Sequence, residues 1–327
     1  MSHSTTTPLF IFSLPRAGST LLQRLLAAHT QVATLAESFL LAPFLFTLRK
    51  DGVYGAYNHQ FTALGIRHFY EELPQGKQDY LRELRRFALR LYGKASPNKE
   101  RFFLDKAAAY SLIAGEIIDL FPQAKSIFLW RNPLSVVASL MKSWRSGKWN
   151  LYYYDRYLYE GLPNLIRVSQ SNHTRSIAVR YEALVREPEG IMKEICSYLD
   201  LSYEGNVLTD YRNVPLRPGT GDPLGLNLFQ SVSQAPIHKW QATLANPLRK
   251  IWCRRYLQWL GDENLAYMGY DLDELQGQLN DMPTQLKHVG SDLWRMPYGL
   301  LFRLFDGVIL RDKLQYVRRR QRIYAHR

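Results

Sequence analysis

A chain of 327 residues is long enough to bury a sizeable core, and its 46% hydrophobic and 13% aromatic residues exclude a disordered protein. The 42 Lys and Arg against 29 Asp and Glu give a net charge of +13. This excess favours an anionic ligand, nucleic acid or an acidic membrane surface, without choosing among them. The first eight residues are polar and predict a flexible N-terminus without a secretory signal. Because two cysteines, Cys196 and Cys253, make no disulfide framework, we expect a cytoplasmic protein.

The most informative stretch combines a strand, a tight loop and the start of a helix. Residues 9–12 have the length and composition of a buried strand, Pro15 and Gly18 mark a turn, and the apolar positions then change to helical spacing. A glycine lets the backbone approach a ligand closely, and the N–H groups at a helix start attract anions. The residues expected to bind the anion are Arg16, Ala17, Gly18, Ser19 and Thr20.

This loop differs from the ATP-binding loop G-x-x-x-x-G-K-[ST] at two positions. Ser13 replaces the first glycine and Ser19 replaces the lysine, so Arg16 is the only cation in the loop sequence. A site without that lysine lacks the charge that reaches the β- and γ-phosphates of ATP, which favours a nucleotide with a different reactive end. A strand, turn and helix without any ligand stays an alternative, since short glycine loops also match by accident.

A second strand and helix carry the features of another anion site. Residues 126–130 predict a buried strand that leads into Arg131, and Asn132 and Pro133 suit the first turn of a helix. An arginine at a strand end, with the hydroxyls of Ser135 and Ser139 on one face of the adjacent helix, is typical of anion binding. The sequence therefore predicts two anion sites in succession.

Two more side chains are candidates for chemistry. Glu37 lies 21 positions after Arg16, where a carboxylate could take the proton from an attacking hydroxyl. A solvated carboxylate paired with an arginine is the alternative for Glu37. Lys106 follows a short strand at residues 102–104, and the carboxyl end of such a strand borders the crevice where α/β sheets bind ligands.

Together these motifs resemble those of PAPS-dependent sulfotransferases, in particular the bacterial and tyrosylprotein-sulfotransferase-like branch. Residues 14–21, LPRAGSTL, resemble the family's 5′-phosphosulfate loop, and Arg131 with Ser139 resembles its 3′-phosphate motif. The resemblance implies that Glu37 is the general base, that Arg16 and Lys106 act on the sulfuryl group, and that no metal is needed. Ala108 stands where the cytosolic branch carries a catalytic histidine, which favours Glu37 as the base.

Weaker parts of the resemblance lie further along the chain. Tyr181 begins a segment similar to the family's Y-E-x-L-x-x-x-P pattern, which implies contact with adenine, although a tyrosine buried beneath the sheet explains the pattern nearly as well. Ser231 and Lys239 fall where the family closes a loop over the nucleotide, but the R-K-G of the cytosolic branch is missing. The aromatic residues 144–159 could stack on an acceptor, while core packing is favoured.

The sequence predicts an α/β protein with a P-loop-type parallel sheet flanked by helices. We expect one sulfotransferase domain at 9–271, with a helical insertion at 49–98, and a basic, helical C-terminal extension at 272–327 outside the resemblance. Apolar residues beside clustered arginines in that extension could lie on an anionic membrane, which would make the protein peripheral at the inner membrane. A solvated helix and a helix packed on a partner subunit are the alternatives.

The resemblance implies transfer of a sulfuryl group from PAPS, as co-substrate, to a hydroxyl of a small molecule, glycan, lipid or polyketide. It implies in-line attack and no nucleic-acid partner. One alternative is a kinase-like phosphotransferase, which requires ATP and Mg²⁺. The other is a basic nucleic-acid-binding protein, which predicts steep salt dependence but does not explain the spacing of Arg16, Glu37 and Arg131.

Overall fold

The computed structural model describes residues 6–35, 37–48, 59–145, 147–214, 234 and 237–305. Its centre is a five-stranded sheet in the order β2-β3-β1-β4-β5, and each pair of neighbours is parallel. The strands are β1 (Thr7–Phe12), β2 (Val32–Thr34), β3 (Phe102–Asp105), β4 (Lys125–Trp130) and β5 (Ser176–Arg180). The predicted α/β class with a parallel sheet is confirmed. Because the strands are parallel, the residues that follow them meet at one edge of the sheet.

Successive side chains along each strand lie on alternate sides of the sheet, which gives the sheet two different buried faces. Phe10 and Phe12 of β1 belong with Phe128 of β4 to one core cluster, whereas Leu9 and Ile11 belong to a second cluster. Successive side chains of a strand point to opposite faces, so one short apolar run supplies both cores. All five side chains are at most 1% exposed, as expected for a parallel sheet covered on both faces.

Helices cover both faces of the sheet. They are α1 (Ser19–Ala27), α2 (Ala42–Phe46), α3 (His59–Glu71), α4 (Lys77–Lys94), α5 (Ala114–Leu120), α6 (Pro133–Arg145), α7 (Leu162–Ser171), α8 (Tyr181–Arg186), α9 (Pro188–Tyr198), α10 (Val207–Asp210), α11 (Trp240–Leu244), α12 (Pro247–Leu260), α13 (Asp262–Tyr267), α14 (Leu272–Asp281) and α15 (Val289–Phe305). Helices α1 and α8 to α10 supply the cluster around Leu9, and most of the others supply the cluster around Phe10.

The described part of the C-terminal residues packs on this core. Leu275 and Leu279 of α14 are buried in the cluster around Phe10, and Asp292 of α15 is buried against Arg249 of α12. Their burial makes α14 and the start of α15 part of the same packed body. No helix among the described residues is long and apolar enough to cross a membrane.

Candidate active site

The loop after β1 turns the chain sharply into α1. Arg16 has a φ of 68° and Gly18 a φ of 101°, and both values fall in the left-handed region. Below the turn, the buried Ala17 donates its N–H to the Leu14 carbonyl at 3.2 Å. Since α1 begins at Ser19, the N–H groups of Ser19 and Thr20 have no partner within the helix, whereas Leu21 donates to the Gly18 carbonyl at 3.0 Å. Such N–H groups at a helix start suit an anion.

Gly18 is the position where the loop approaches the rest of the site most closely. A Cβ atom there would lie 2.3 Å from Cδ2 of Tyr181, so a larger residue would force the ring or the loop to move. Tyr181 is buried at the start of α8, directly after β5. Its ring therefore packs against the loop, and the contact with adenine stays a prediction.

Arg131 connects the end of β4 to the same loop. Its Nη1 donates to the carbonyl oxygen of Arg16 at 2.8 Å, and its guanidinium carbon lies 4.2 Å from the centre of the Tyr181 ring. Burial lowers the pKa of Arg131, and the positive charge of Arg16 acts in the same direction. Two guanidinium groups held this close repel each other, so an anion between them would be stabilised by both.

Ser139 completes this corner of the site. Its hydroxyl accepts from Nε of Arg16 at 3.3 Å. The serine lies in the second turn of α6, and the start of that helix is fixed by Asn132, whose side-chain oxygen accepts from the Leu134 N–H at 2.9 Å. The two anion motifs, 115 residues apart at Arg16 and Arg131, thus form one continuous surface.

Glu37 and Lys106 form an ion pair on the other side of the loop. Nζ of Lys106 lies 2.7 Å from Oε1 of Glu37 and 3.3 Å from the hydroxyl oxygen of Thr20. The side chains of the lysine and the glutamate are only 5% and 11% exposed. The pair therefore places one cation and one candidate base beside the first turn of α1, largely out of water.

A buried carboxylate that the sequence analysis missed supports this pair. Asp105 precedes Lys106 and accepts from the hydroxyls of Ser38 at 2.9 Å, Tyr92 at 2.7 Å and Tyr110 at 3.0 Å. Burial raises the pKa of Asp105, although these hydrogen bonds oppose the rise. Since Ser38 follows Glu37 in the chain, the network fixes the backbone on both sides of the ion pair. The sequence feature that could have identified Asp105 is an aspartate at the end of a buried strand.

Two tyrosines near the site belong to the aromatic segment 144–159, for which stacking on an acceptor was one alternative. Burial raises the pKa of Tyr154 to about 12, against the effect of the Arg16 charge, and it raises the pKa of Tyr157 together with the negative charge of Glu37. Both phenols are therefore near the charged groups. A π-helical turn, Tyr157–Gly161, begins at the second tyrosine, and such turns frequently occur at functional sites.

One predicted nucleotide residue, Lys239, is not joined to this cluster, and another lies outside the described residues. Lys239 is exposed just before α11, and within the described part of the chain no hydrogen bond links it to the loop. Ser231 lies outside the described residues. Both assignments stay predictions.

The comparison with known proteins agrees with this geometry. A model described as the sulfotransferase family matches residues 8–205, which is more than half of the chain and includes both anion motifs, Glu37 and Lys106. The chain belongs to the sulfotransferase family.

Similar proteins match most of this chain. The nodulation protein NoeE of Sinorhizobium fredii is 27% identical over 262 residues, which span 72% of this chain and 60% of NoeE. A protein of Aquifex aeolicus is 23% identical over 247 residues, which span 73% of this chain and 31% of that relative. The chain thus matches less than two thirds of the length of either protein. In structure, it is similar to the sulfotransferase domain from the curacin biosynthetic pathway, with a TM-score of 0.50, 22% identity, and coverage of 73% of this chain and 91% of that domain.

Proposed function

We propose that this sulfotransferase transfers the sulfuryl group of PAPS to a hydroxyl group of an acceptor, and that Glu37 removes the proton of that hydroxyl. One observation carries the proposal, namely the 2.8 Å hydrogen bond from Arg131, after β4, to the backbone of Arg16, after β1. PAPS has an anionic 5′-phosphosulfate end and an anionic 3′-phosphate on one adenosine. A protein that binds it needs cations for both anionic ends of one small molecule, and this contact supports a single site formed by the two motifs.

The local shape and charge fit such a ligand. The absence of a side chain at Gly18 lets the Tyr181 ring pack against the loop, and the first-turn N–H groups of α1 suit the 5′-phosphosulfate. Arg131 and Ser139 would hold the 3′-phosphate on the other side of Arg16. Because ATP has no 3′-phosphate, these two residues would favour PAPS over ATP.

In the proposed reaction the acceptor oxygen forms a bond to sulfur while the bond between sulfur and the 5′-phosphate oxygen breaks. Adenosine 3′,5′-bisphosphate (PAP) leaves with the electron pair, and the acceptor proton goes to the Glu37 carboxylate. Arg16, Lys106 and the helix N–H groups would stabilise the negative charge that develops on the leaving phosphate. The sulfuryl group has one negative charge less than a phosphoryl group, so these protein groups suit its transfer.

The position of Lys106 supports the roles proposed for the loop and for Glu37. Its ammonium contacts both Thr20 in the loop helix and Glu37, so it lies between the proposed phosphosulfate site and the proposed base. The acceptor would approach from the side of Tyr154 and Tyr157. The charge of Arg16 acts on the pKa of the first phenol, and the charge of Glu37 acts on the pKa of the second. The acceptor class stays broad: a small molecule, glycan, lipid or polyketide with a free hydroxyl.

The test separates sulfuryl transfer from phosphoryl transfer. The purified chain is incubated with a cell extract and sulfur-labelled PAPS, or with γ-labelled ATP and Mg²⁺, and labelled products are identified by mass analysis. PAP binding is measured by calorimetry without any acceptor. We expect PAP binding and label from PAPS alone. No PAP binding, or labelling from ATP only, would contradict the proposal.

A further inference from the structure

The outward half of α15 is apolar, which is unusual for a surface helix. Its outward positions, by the 3.6-residue winding of a helix, are Gly290, Leu293, Trp294, Pro297, Tyr298 and Leu301. Trp294 is 77% exposed and Leu293 60% exposed. Among the side chains of α15 that the structure describes, none on this half is charged. We call Leu293, Trp294, Tyr298 and Leu301 the outward apolar face, and a face of this kind normally has a partner.

The opposite half of α15 holds the helix in this orientation. Asp292 accepts from Nε and Nη2 of Arg249 at 2.6 and 3.1 Å, and from Nδ2 of Asn246 at 3.1 Å. Met296 and Phe302 pack on the core beside this network. Rotating the helix to bury Trp294 would separate a buried ion pair, which is costly. The outward apolar face is therefore fixed toward the surroundings of the protein.

A cationic cavity lies beside the first turn of α15. It has a volume of about 430 Å³, and its lining includes Lys142, Lys287, His288 and Thr243. Thr243 is buried, and its hydroxyl has no hydrogen-bond partner among the described residues. Burial lowers the pKa of His288, and the positive charges of Arg249, Lys287 and Lys148 act in the same direction. The cavity thus combines positive charge, an unused hydroxyl and a helix start, which together suit a phosphate group.

The charge around the face indicates what it meets. From Met282 to Phe305 the sequence has three Lys and Arg against one Asp, and this residue, Asp292, is neutralised by Arg249. A second copy of this chain would bring the same positive excess against itself, which opposes self-association. Trp and Leu beside Lys and Arg are the composition of helices that lie in the interface of anionic membranes.

We propose that the outward apolar face and the cationic cavity together dock on a bilayer containing anionic phospholipids. Leu293 and Trp294 enter the interfacial region, and the cavity with Lys142 and Lys287 binds phosphate headgroups. This binding is separate from sulfuryl transfer, because none of its residues belongs to the proposed active site. It needs neither PAPS nor an acceptor.

The experiment is co-sedimentation of the full chain with vesicles of phosphatidylcholine alone or mixed with phosphatidylglycerol. We expect binding to the mixed vesicles only, and weaker binding as sodium chloride is added. Leu293→Ser with Trp294→Ser should weaken vesicle binding at least about tenfold, since the two apolar side chains that the bilayer would bury are lost. The matched control is Leu64→Ser with Phe69→Ser, two exposed apolar residues of α3, and it should bind as the wild type does.

A further variant and a competitor test the headgroup site. Lys287→Glu should weaken binding to the mixed vesicles, whereas soluble glycerol phosphate should not displace the protein, because it lacks the apolar contact. Equal binding to both kinds of vesicle, no binding, or binding unchanged in the Leu293 and Trp294 variant would overturn the proposal. So would displacement by glycerol phosphate, which would assign the cavity to a free phosphate compound. A dimer by light scattering that this variant converts to a monomer would assign the face to a second copy.

Discussion

The ammonium of Lys106 lies 2.7 Å from a carboxylate oxygen of Glu37, although 69 residues separate them in the chain. Glu37 follows β2 and Lys106 follows β3, and the Thr20 hydroxyl that the lysine also contacts follows β1. These three strands are neighbours in the sheet. The parallel arrangement of these strands therefore places the proposed base, a cation and the anion-binding loop together at one edge of the sheet.

Glu37→Gln tests the proposed base. Glutamine keeps the size of the side chain, and its oxygen can still accept from Lys106, but the amide cannot take a proton. We expect the transfer rate to fall by about a hundredfold to ten-thousandfold, with PAP affinity in calorimetry nearly unchanged. The control Glu71→Gln alters an exposed carboxylate of α3 and should leave both values as they are. Wild-type turnover in Glu37→Gln would exclude this residue as the base.

The sequence predicted the arrangement of the anion sites because local patterns determine it. A buried strand, a turn with glycine and a helix start can be recognised within about a dozen residues, and parallel strands bring such turns to one edge. The meeting of Arg16, Arg131 and Ser139 follows from those rules. Their roles in binding PAPS stay predictions until nucleotide binding is measured.

The parts that could not be predicted depend on contacts between distant residues. The carboxylate of Asp105 is held by Tyr92 and by Ser38, which is 67 positions away, and an apolar pattern does not show which polar groups will meet in the core. The orientation of α15 is a similar case. Apolar residues lie on both halves of its sequence, and the buried contact of Asp292 with Arg249 decides which half faces outward.

Arg131→Ala tests the proposed 3′-phosphate site. Losing a charge-assisted hydrogen bond costs on the order of 1.5–3 kcal/mol, so PAP affinity in calorimetry should fall by about 10- to 150-fold. Arg167→Ala removes an exposed arginine of α7 and should bind PAP normally. If the two variants bind PAP equally well, the 3′-phosphate is held elsewhere.

Gly18→Ala tests the requirement for glycine in the loop. The φ of 101° is unfavourable for alanine, and the new Cβ would lie 2.3 Å from the Tyr181 ring. We expect the free energy of unfolding to fall by at least about 1–2 kcal/mol, and PAP binding to weaken as the loop shifts. Gly93→Ala is the opposite case, because this glycine is inside α4 with no atom within 4 Å of the added Cβ. It should stabilise the protein by about 0.5–1 kcal/mol in urea denaturation. Equal effects of the two substitutions would contradict the strained geometry of the loop.

Asp105 should make stability depend on pH. Burial raises its pKa in the folded state, so the folded protein holds a proton at pH values where the unfolded chain has lost it. The stability contributed by Asp105 is full below the unfolded value of about 3.9, and it is lost as the pH rises through the folded pKa. The unfolding free energy of the wild type should therefore fall relative to that of Asp105→Asn as the pH rises above about 4.

Urea denaturation at several pH values in this range measures that difference. Asp119→Asn changes an exposed aspartate of α5 and should show a constant offset from the wild type. A constant offset for Asp105→Asn as well would mean that its carboxyl titrates in the folded protein as it does in the unfolded chain.

The last prediction concerns the attachment of α15. The Arg249 and Asp292 side chains are 2% and 0% exposed, with 2.6 Å between Nε and Oδ2, so Asp292→Asn would leave a buried guanidinium without its counter-charge. We expect the free energy of unfolding to fall by about 3–5 kcal/mol. Arg86 and Glu83 have the same 2.6 Å separation but are 60% and 62% exposed, and Glu83→Gln should change stability by no more than about 0.5 kcal/mol. A similarly small effect of Asp292→Asn in urea denaturation would mean that α15 can detach without disturbing the core, and its outward face would then no longer be fixed.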